Sequence, residues 1–327
     1  MDLVELTPRL APELAAEWVA HHALLRQRDP RLTDAPRLDR FFEAEILRAV
    51  DAKAALALGD QKGWRALATG IHLTLRDDDP AQEIIVRQSV SWSVLLLRPW
   101  ESLDAPELFA AMDRFACEAR AEMSYATVPS CDAESNAFVS RHRFEPSFVH
   151  CARIEPVSEV PPPDGVAIHR ALPGDGPKVL DVHLEEIDYH ALCAPSQSTR
   201  YPGRRDRQLA GCEDVIRDRN GASLYAEWEG EVIAVADGRV TDAHLRPTVM
   251  LPAGRMGFIR SVGTRADWRG RGVGTALSLA LAHRMGQQGA RRWELVYCPW
   301  NPLSSRFWRG LLFVPVAQGY CARPSGH

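Results

Sequence analysis

The sequence predicts an α/β (α+β) protein of two tandem domains, each a central sheet flanked by helices. Three observations predict it. The chain has 327 residues, too many for one ordinary core and suited to two of about 150 each. A stretch reading EPVSEVPPPDG, residues 155–165, interrupts it near the middle. Consecutive prolines favour an extended spacer and cannot continue a helix or a central strand. On both sides of that stretch, alternating runs and helix-period runs follow in a similar order. The expected division is residues 1–157, a spacer at 158–165, and residues 166–327.

In the first half, IIVRQSVSWSVLLL (84–97) reads as a strand. APELFAAMDRFACEARAEM (105–123) has helical spacing, SYATVPS is a second strand, and CDAESNAFVSRHRF a short helix. In the second half, VAIHRAL (166–172) alternates like a strand and KVLDVHLEEIDYHAL (178–192) repeats at helical period. The polar loop APSQSTRYPGRRD follows, and then a helix, RQLAGCEDVIRDR (207–219). SLYAEWEGEVIAVADGRV (223–240) is a hairpin turning near Gly230, and MGFIRSVGT (256–264) another strand. DWRGRGVGTAL leads into the helix TALSLALAHRMGQQG, followed by the strand WELVYC (293–298). NPLSSRFWRGLLF closes the series as a short helix, with Asn301 suited to its N-cap and Pro302 to its first turn. Sliding the first half by 169 residues superposes these elements without a gap. Leu108 then falls on Leu277, Ser135 on Ser304, Phe138 on Phe307, Phe144 on Phe313 and Pro146 on Pro315. Agreement of element order and spacing points to a repeat.

Composition excludes several classes. With 46% apolar and 25% charged residues the chain is globular. Its apolar runs fall short of the roughly 18–20 residues of a membrane span. MDLVELTPRLAPEL lacks the basic start and apolar core of a signal peptide, so a cytoplasmic location is expected. A net charge of −4 offers no basic field for nucleic acid. Seven scattered cysteines, without a C-x-x-C, suggest reduced thiols and no zinc site. No metal is expected.

The glycine turn carries the chemistry. A helix N-terminus leaves amide N–H groups unpaired and bears partial positive charge. Gly270, Gly272 and Gly274 allow an anion to approach those amides closely, and Arg269 and Arg271 add charge. A pyrophosphate is the ligand implied. The turn is not a Walker A loop, because no G-K-[ST] is present, and its G-x-G-x-G spacing is not the G-x-G-x-x-G of dinucleotide folds.

Arg269-Gly270-Arg271-Gly272-Val273-Gly274 resembles the Arg/Gln-x-x-Gly-x-Gly/Ala signature of the GNAT superfamily of N-acetyltransferases. SVGTRADW ahead of it is similar to that family's fourth strand. LVYCPWNPLSSRFWRGLLF is similar to its ending of strand, Asn, short helix and Gly-Phe. The resemblance implies a mixed, mostly antiparallel sheet in each domain and acetyl-CoA as co-substrate. It implies that the turn from Arg269 through Thr275 holds the pyrophosphate. The backbone of Val262 and Thr264 would pair with the pantetheine arm, and Asn301, Ser304 and Trp308 would lie beside it. Val262 would polarise the thioester carbonyl as an oxyanion donor. An amine would attack directly, with a base to take its proton and an acid for the thiolate.

Here the sequence departs from the family. Trp308 stands where a tyrosine often serves as the acid, and Leu312-Phe313 replaces Gly-Phe. Tyr297 and Cys298 are the alternatives for the acid, and Glu227 and His190 are the base candidates, beside a base acting through water. The segment 188–205 lies where the family forms its acceptor pocket. Tyr189, His190, Arg200 and Tyr201 there, with Arg260, are candidates to bind a polar or anionic acceptor. At the offset of 169, Arg269 to Gly274 fall on Trp100, Glu101, Ser102, Leu103, Asp104 and Ala105. The glycines are gone, so one cofactor per chain is expected, with the first half a degenerate partner. In length and layout the chain resembles tandem members of the family of the mycothiol synthase type, a likeness of architecture and not of any substrate motif. The reading is an N-acetyltransferase acting on a small-molecule amine, as a monomer or homodimer, without nucleic-acid or membrane partners. A protein or peptide acetyltransferase and a non-catalytic acyl-CoA-binding module are the alternatives.

Overall fold

Two runs of elements follow one another in the same order in the computed structural model, which describes residues 2–61, 63–75, 88–97, 105–193 and 203–326. The first run is β1 (Asp2–Glu5), α1 (Ala11–Arg28), α2 (Leu38–Asp51), β2 (Ala55–Asp60), β3 (Gly63–Thr74), β4 (Gln88–Leu96), α3 (Pro106–Glu118), β5 (Met123–Pro129), α4 (Ala133–Arg141) and β6 (Glu145–Arg153). The second is β7 (Ala167–Arg170), α5 (Gly176–Cys193), α6 (Arg204–Arg217), β8 (Gly221–Trp228), β9 (Glu231–Ala243), β10 (Gly254–Thr264), α7 (Val273–Gln287), β11 (Trp293–Tyr297), α8 (Pro302–Gly310) and β12 (Val314–Ala322). The repeat is regular: α4 and α8 start 169 residues apart, as do β6 and β12. Residues 158–163 between the runs carry no helix or strand.

The sheet does not divide where the chain does. All twelve named strands form one sheet in the order β1-β2-β3-β4-β5-β12-β6-β11-β10-β9-β8-β7. The last strand of each run lies inside the other's territory: β12 pairs with β5 and β6 with β11. The exchanged strands pair antiparallel with each other at the centre. Pairing is antiparallel except for β4–β5 and β10–β11, so the sheet is mixed and mostly antiparallel. No strand was expected from the sequence over 314–322, because VPVAQGYCA lacks clean alternation. It is mostly buried, Val316 and Ala317 against Val249 and Leu251 of the β9–β10 connection and Tyr320 in the first run's core, which removes the period-two signal.

Strand alternation sorts the helices. Ala234, Ala236, Ile259, Leu295 and Tyr297 face α7 and α8 in one core, with Leu277, Leu281 and Trp308. Val235 and Val232 face α5 and α6, against Val179, Val182, Cys212 and Ile216. The first run packs likewise, with Leu108, Met112 and Phe138 on one face and Trp18, Phe42 and Ile46 on the other. α7 is apolar nearly all round and buries Val273, Ala276, Leu277, Leu281, Ala282 and Met285, as a helix inside a large core should. The connection from β9 to β10 crosses the seam: Met250 packs into the first run's core and its carbonyl accepts from the Thr33 amide at 2.7 Å. Among the described residues no helix is long and apolar enough to cross a membrane.

Candidate active site

β10 and β11 begin side by side and then part. Their parallel pairing covers only Gly257–Trp293, Phe258–Glu294 and Ile259–Leu295. Beyond Ile259, β10 continues with β9 to Thr264, while β11 continues with β6 to Tyr297. A β-bulge between Ile259 and Ser261 sets which groups face the opening. The Gly257 amide donates toward β11, to Arg292 O at 2.9 Å. The Arg265 amide donates toward β9, to Ile233 O at 2.9 Å. Both numbers are odd, so the alternation of a regular strand has changed phase at the bulge. Counting back from Arg265, the amides of Val262 and Thr264 turn away from β9 and into the gap. The gap is therefore lined by backbone donors that the sheet does not use.

The glycine turn stands at the mouth of this gap. Gly270 and Gly272 take φ of 76° and 86°, the left-handed region that glycine enters without strain. Gly272 is the N-cap of α7, and the first helical bond runs from the Ala276 amide to Gly272 O at 3.0 Å. The amides from Gly270 to Thr275 thus have no acceptor among the described residues. A β-carbon at Gly274 would lie 3.2 Å from Thr264 Oγ1 and 3.7 Å from the Phe307 ring, so glycine keeps the first turn open toward the gap. Arg269 fastens the turn: Nε donates to Thr264 O at 3.1 Å, and its guanidinium lies 4.8 Å above the Tyr189 ring. Arg271 is exposed and stacks on Trp268 at 4.7 Å.

α8 forms the other wall. Asn301 is buried and caps it, Oδ1 accepting from the amides of Leu303 at 3.0 Å and Ser304 at 3.2 Å. A groove of about 490 Å³ lies between the helices, with Thr275, Leu303, Arg306, Phe307 and Leu311 in its walls. Trp308 is not among them. It is 7% exposed and packs edge-on against Phe307 and Phe313 in the core. The aromatic in the groove is Phe307, one residue earlier. The helical period decides this, since position 308 points at the sheet and position 307 along it.

Other expected residues separate. Arg260 is committed to Asp237 through two bonds of 3.0 and 2.8 Å, and His183 Nε2 lies 3.4 Å from the same carboxylate. Burial pushes Asp237 up, but the charges of Arg260 and His183 outweigh it and hold the carboxyl below its ordinary range. A paired Arg260 is not free for an acceptor. Glu227 sits near the β8–β9 hairpin, opposite Ala167 and Val232, with all of β9 between it and β10. Tyr297 is buried against α8, and burial raises its hydroxyl above the ordinary value, away from acid work at neutral pH. Burial likewise raises the Cys298 thiol. Arg200 and Tyr201 lie outside the described residues. Tyr189 and His190 lie near the end of α5, within the helix expected over 178–192. All seven cysteines are free, and among the described residues no group of three or more His, Cys, Asp or Glu side chains is placed to hold a metal ion.

α5 brings in a residue the sequence reading passed over. The helix crosses β10 at Gly263, where a β-carbon would lie 3.1 Å from Glu186 Cβ. Glu186 therefore stands over the strand between the two amides that face the gap. Burial, aided by Asp237, pushes its carboxyl up to about 7. His190 is one turn further, its buried Nε2 without a partner among the described residues and its pKa lowered by burial. The signal was present as HLEEIDYH, with His183, Glu186 and His190 three and four residues apart on one stripe.

The first run shows the same opening closed. β4 and β5 pair from Ser89–Met123 to Ser93–Thr127, and β4 then runs on to Leu96 without a bulge. The Leu96 amide donates to Ser135 Oγ at 2.8 Å, and Ser135 Oγ donates to Asp132 Oδ2 at 2.6 Å. Asp132 in turn holds His21 Nε2 at 2.8 Å. All three side chains are buried. Pro106, at the first position of α3, has no amide hydrogen to offer. Most of the segment matching the glycine turn, residues 100–104, lies outside the described residues.

Residues 185–311 match the model of the acetyltransferase (GNAT) family. A comparison with curated protein sequences gives no match. Among solved structures, the GCN5-related N-acetyltransferase from Sphaerobacter thermophilus is similar over 98% of this chain and 94% of its own, with a TM-score of 0.58 and 17% identity. That likeness shows a shared fold through both halves. A tandem GNAT protein from the clavulanic acid biosynthesis pathway is similar over 99% of this chain and 98% of its own, with a TM-score of 0.46 and 14% identity. An aminoglycoside N-acetyltransferase in complex with CoA is similar over 48% of this chain and 93% of its own, with a TM-score of 0.39 and 19% identity. The glycine turn and the parted strands both fall inside the matched segment, so residues 185–311 match the acetyltransferase (GNAT) family, and the fold shared with the Sphaerobacter protein runs through both halves.

Proposed function

We propose that the second half transfers an acetyl group from acetyl-CoA to the amine of a small molecule by direct attack. The observation that carries the reading is the run of unbonded amides from Gly270 to Thr275 at the mouth of the β10–β11 gap. Such amides suit a pyrophosphate. The groove beside Phe307 and Arg306 suits the adenosine end, and the gap is open to the pantetheine arm. There the Val262 amide would hydrogen-bond the thioester carbonyl oxygen, stabilising the negative charge that develops as the amine attacks. Thr264 would hold the arm, and buried Asn301 would fix α8 beside it. In this assignment residues 166–327 carry the chemistry and 1–157 supply a wall. The closed opening of the first run supports one acetyl-CoA per chain. Seven free cysteines fit a reducing, cytoplasmic setting.

Thermal unfolding with millimolar acetyl-CoA tests binding. A rise in Tm is expected, and Gly272→Glu should abolish it, because the new side chain is strained at φ 86° and repels a diphosphate. No shift for the unmodified chain overturns the reading. CoA release followed with a thiol reagent, against simple amines, aminoglycosides, amino sugars and peptides, then identifies the acceptor class. Binding without release against any amine would favour an acyl-CoA-binding module instead.

A further inference from the structure

The carboxylates of α5 are neutralised with one exception. Asp181 pairs with Arg205 at 2.9 Å and Asp188 with Arg204 at 2.7 Å. Glu185 accepts from the Ala266 amide at 3.1 Å and lies 3.8 Å from Arg269. Glu186 has neither a hydrogen bond nor an ion pair among the described residues. It is nevertheless half-buried, and it stands over Gly263 between the two amides that face the gap. Leaving a carboxylate unpaired in such a place costs stability, and sites of chemistry are where that cost is tolerated.

We propose that Glu186 is the proton acceptor for the amine that attacks in the β10–β11 gap, a role that rests on the acetyltransferase reading above. The amine nitrogen bonds to the thioester carbonyl carbon, and its surplus proton passes to the Glu186 carboxylate. The carbon–sulfur bond then breaks, and the departing thiolate takes that proton. Amide and thiol are the products, and Glu186 returns to its starting state. The groups around it set its affinity for the proton. Asp237 from β9 acts on it directly; Arg260 from β10 and His183 from α5 are engaged with Asp237. Cys212 of α6 lies in the same cluster, with its thiol raised by burial, and burial lowers the pKa of His190 on the next turn of α5. Among the described residues no cation is paired with Glu186 to pull its proton affinity down. A general base works best when its pKa lies near the working pH, and burial lifts this carboxyl to about 7.

The test uses the full chain, acetyl-CoA and the best amine of the panel, with CoA release measured from pH 5 to 9. For the unmodified protein kcat/KM should fall on the acid side with a midpoint near 7. Glu186→Gln should lower kcat by about 100-fold or more and remove that limb, while Glu186→Asp recovers part of the rate. The Tm shift with acetyl-CoA should persist in both variants. Turnover of Glu186→Gln within about threefold, with the limb unmoved, overturns the proposal. Absence of any shift in the unmodified protein instead overturns the parent reading. A second measurement needs no acceptor: carbodiimide coupling of glycine ethyl ester at pH 7, read by peptide mass mapping. Glu186 should be labelled ahead of Glu185, and acetyl-CoA should protect it. An unlabelled or unprotected Glu186 counts against the role.

Discussion

Asn301, Asp237 and Glu186 show how single side chains divide between holding the site and serving it. Asn301 caps α8 with one oxygen serving two amides, so Asn301→Ala should cost about 1 kcal/mol in urea unfolding. Asn301→Asp keeps the acceptor and should cost less. Asp237→Asn leaves Arg260 without its charge partner, and a loss of about 3 kcal/mol is expected from the same measurement. Glu186 should behave in the opposite sense. Its folded pKa lies above the ordinary value, so the folded state holds the extra proton between about pH 4.5 and 7. Stability is lost as pH rises through that window. Glu186→Gln should therefore raise Tm above pH 7 and leave it nearly unchanged at pH 4.5. Residue identity made Asn301 legible in the sequence, because Asn before Pro reads as a cap. Glu186 was not legible, because HLEEIDYH offers two adjacent glutamates. Only the rotation of α5 on β10 decides that one meets Arg269 and the other meets the gap.

At the scale of elements, the bulge in β10 is the consequential feature. It turns the Val262 and Thr264 amides into the opening and leaves those of Ser261 and Gly263 bonded to β9. Val262→Pro removes an N–H that the sheet does not use, whereas Gly263→Pro removes one that it does. The first variant should stay folded by circular dichroism and lose acetyl-CoA turnover. The second should lose several degrees of Tm or fail to fold. The alternation of GFIRSVGT identified a strand, and the glycine turn identified a helix start facing an anion. Neither could reveal the bulge, because a bulge adds a residue without altering composition. The contrast with β4 makes the point. That strand runs straight, and its gap-facing Leu96 amide is bonded by Ser135, which Asp132 and His21 hold in place.

For the whole molecule, the exchange of β6 and β12 makes the two halves one folding unit. Cutting at 157 and discarding the first half removes β6, which separates β11 from β12. Residues 158–327 alone would expose the edge of β11 and leave β12 unpaired. That fragment should aggregate or unfold without cooperativity, so deletion reports on folding before it reports on an acceptor pocket. Co-expression of 1–157 with 158–327 should instead yield a complex that co-purifies and binds acetyl-CoA as the intact chain does. The intact chain should melt in a single transition. Two separate transitions, or a monomeric and cooperative C-terminal fragment, would contradict this. The seam also carries buried charge: Glu294 on β11 holds His150 of β6 at 2.8 Å and Arg246 at 2.5 Å. Burial works against ionisation there, but these partners and Arg292 hold Glu294 down at about 2. A depressed carboxyl contributes stability above its unfolded value and loses it as pH falls, here from about 5 toward 2.

The sequence by itself determined the tandem layout, the order of elements from β7 to α8, the glycine turn at the head of α7 and the cap of α8. These are local properties, written in periodicity, proline, glycine and a repeat at constant offset. Tertiary structure alone decided which strands the halves exchange, that Trp308 packs inward while Phe307 meets the groove, and that Arg260 is spent on Asp237. It also decided that Glu186 of α5 packs over Gly263 of β10. Those outcomes depend on pairing and rotation between elements distant in the chain, and a side-chain period fixes a face without naming what that face will meet.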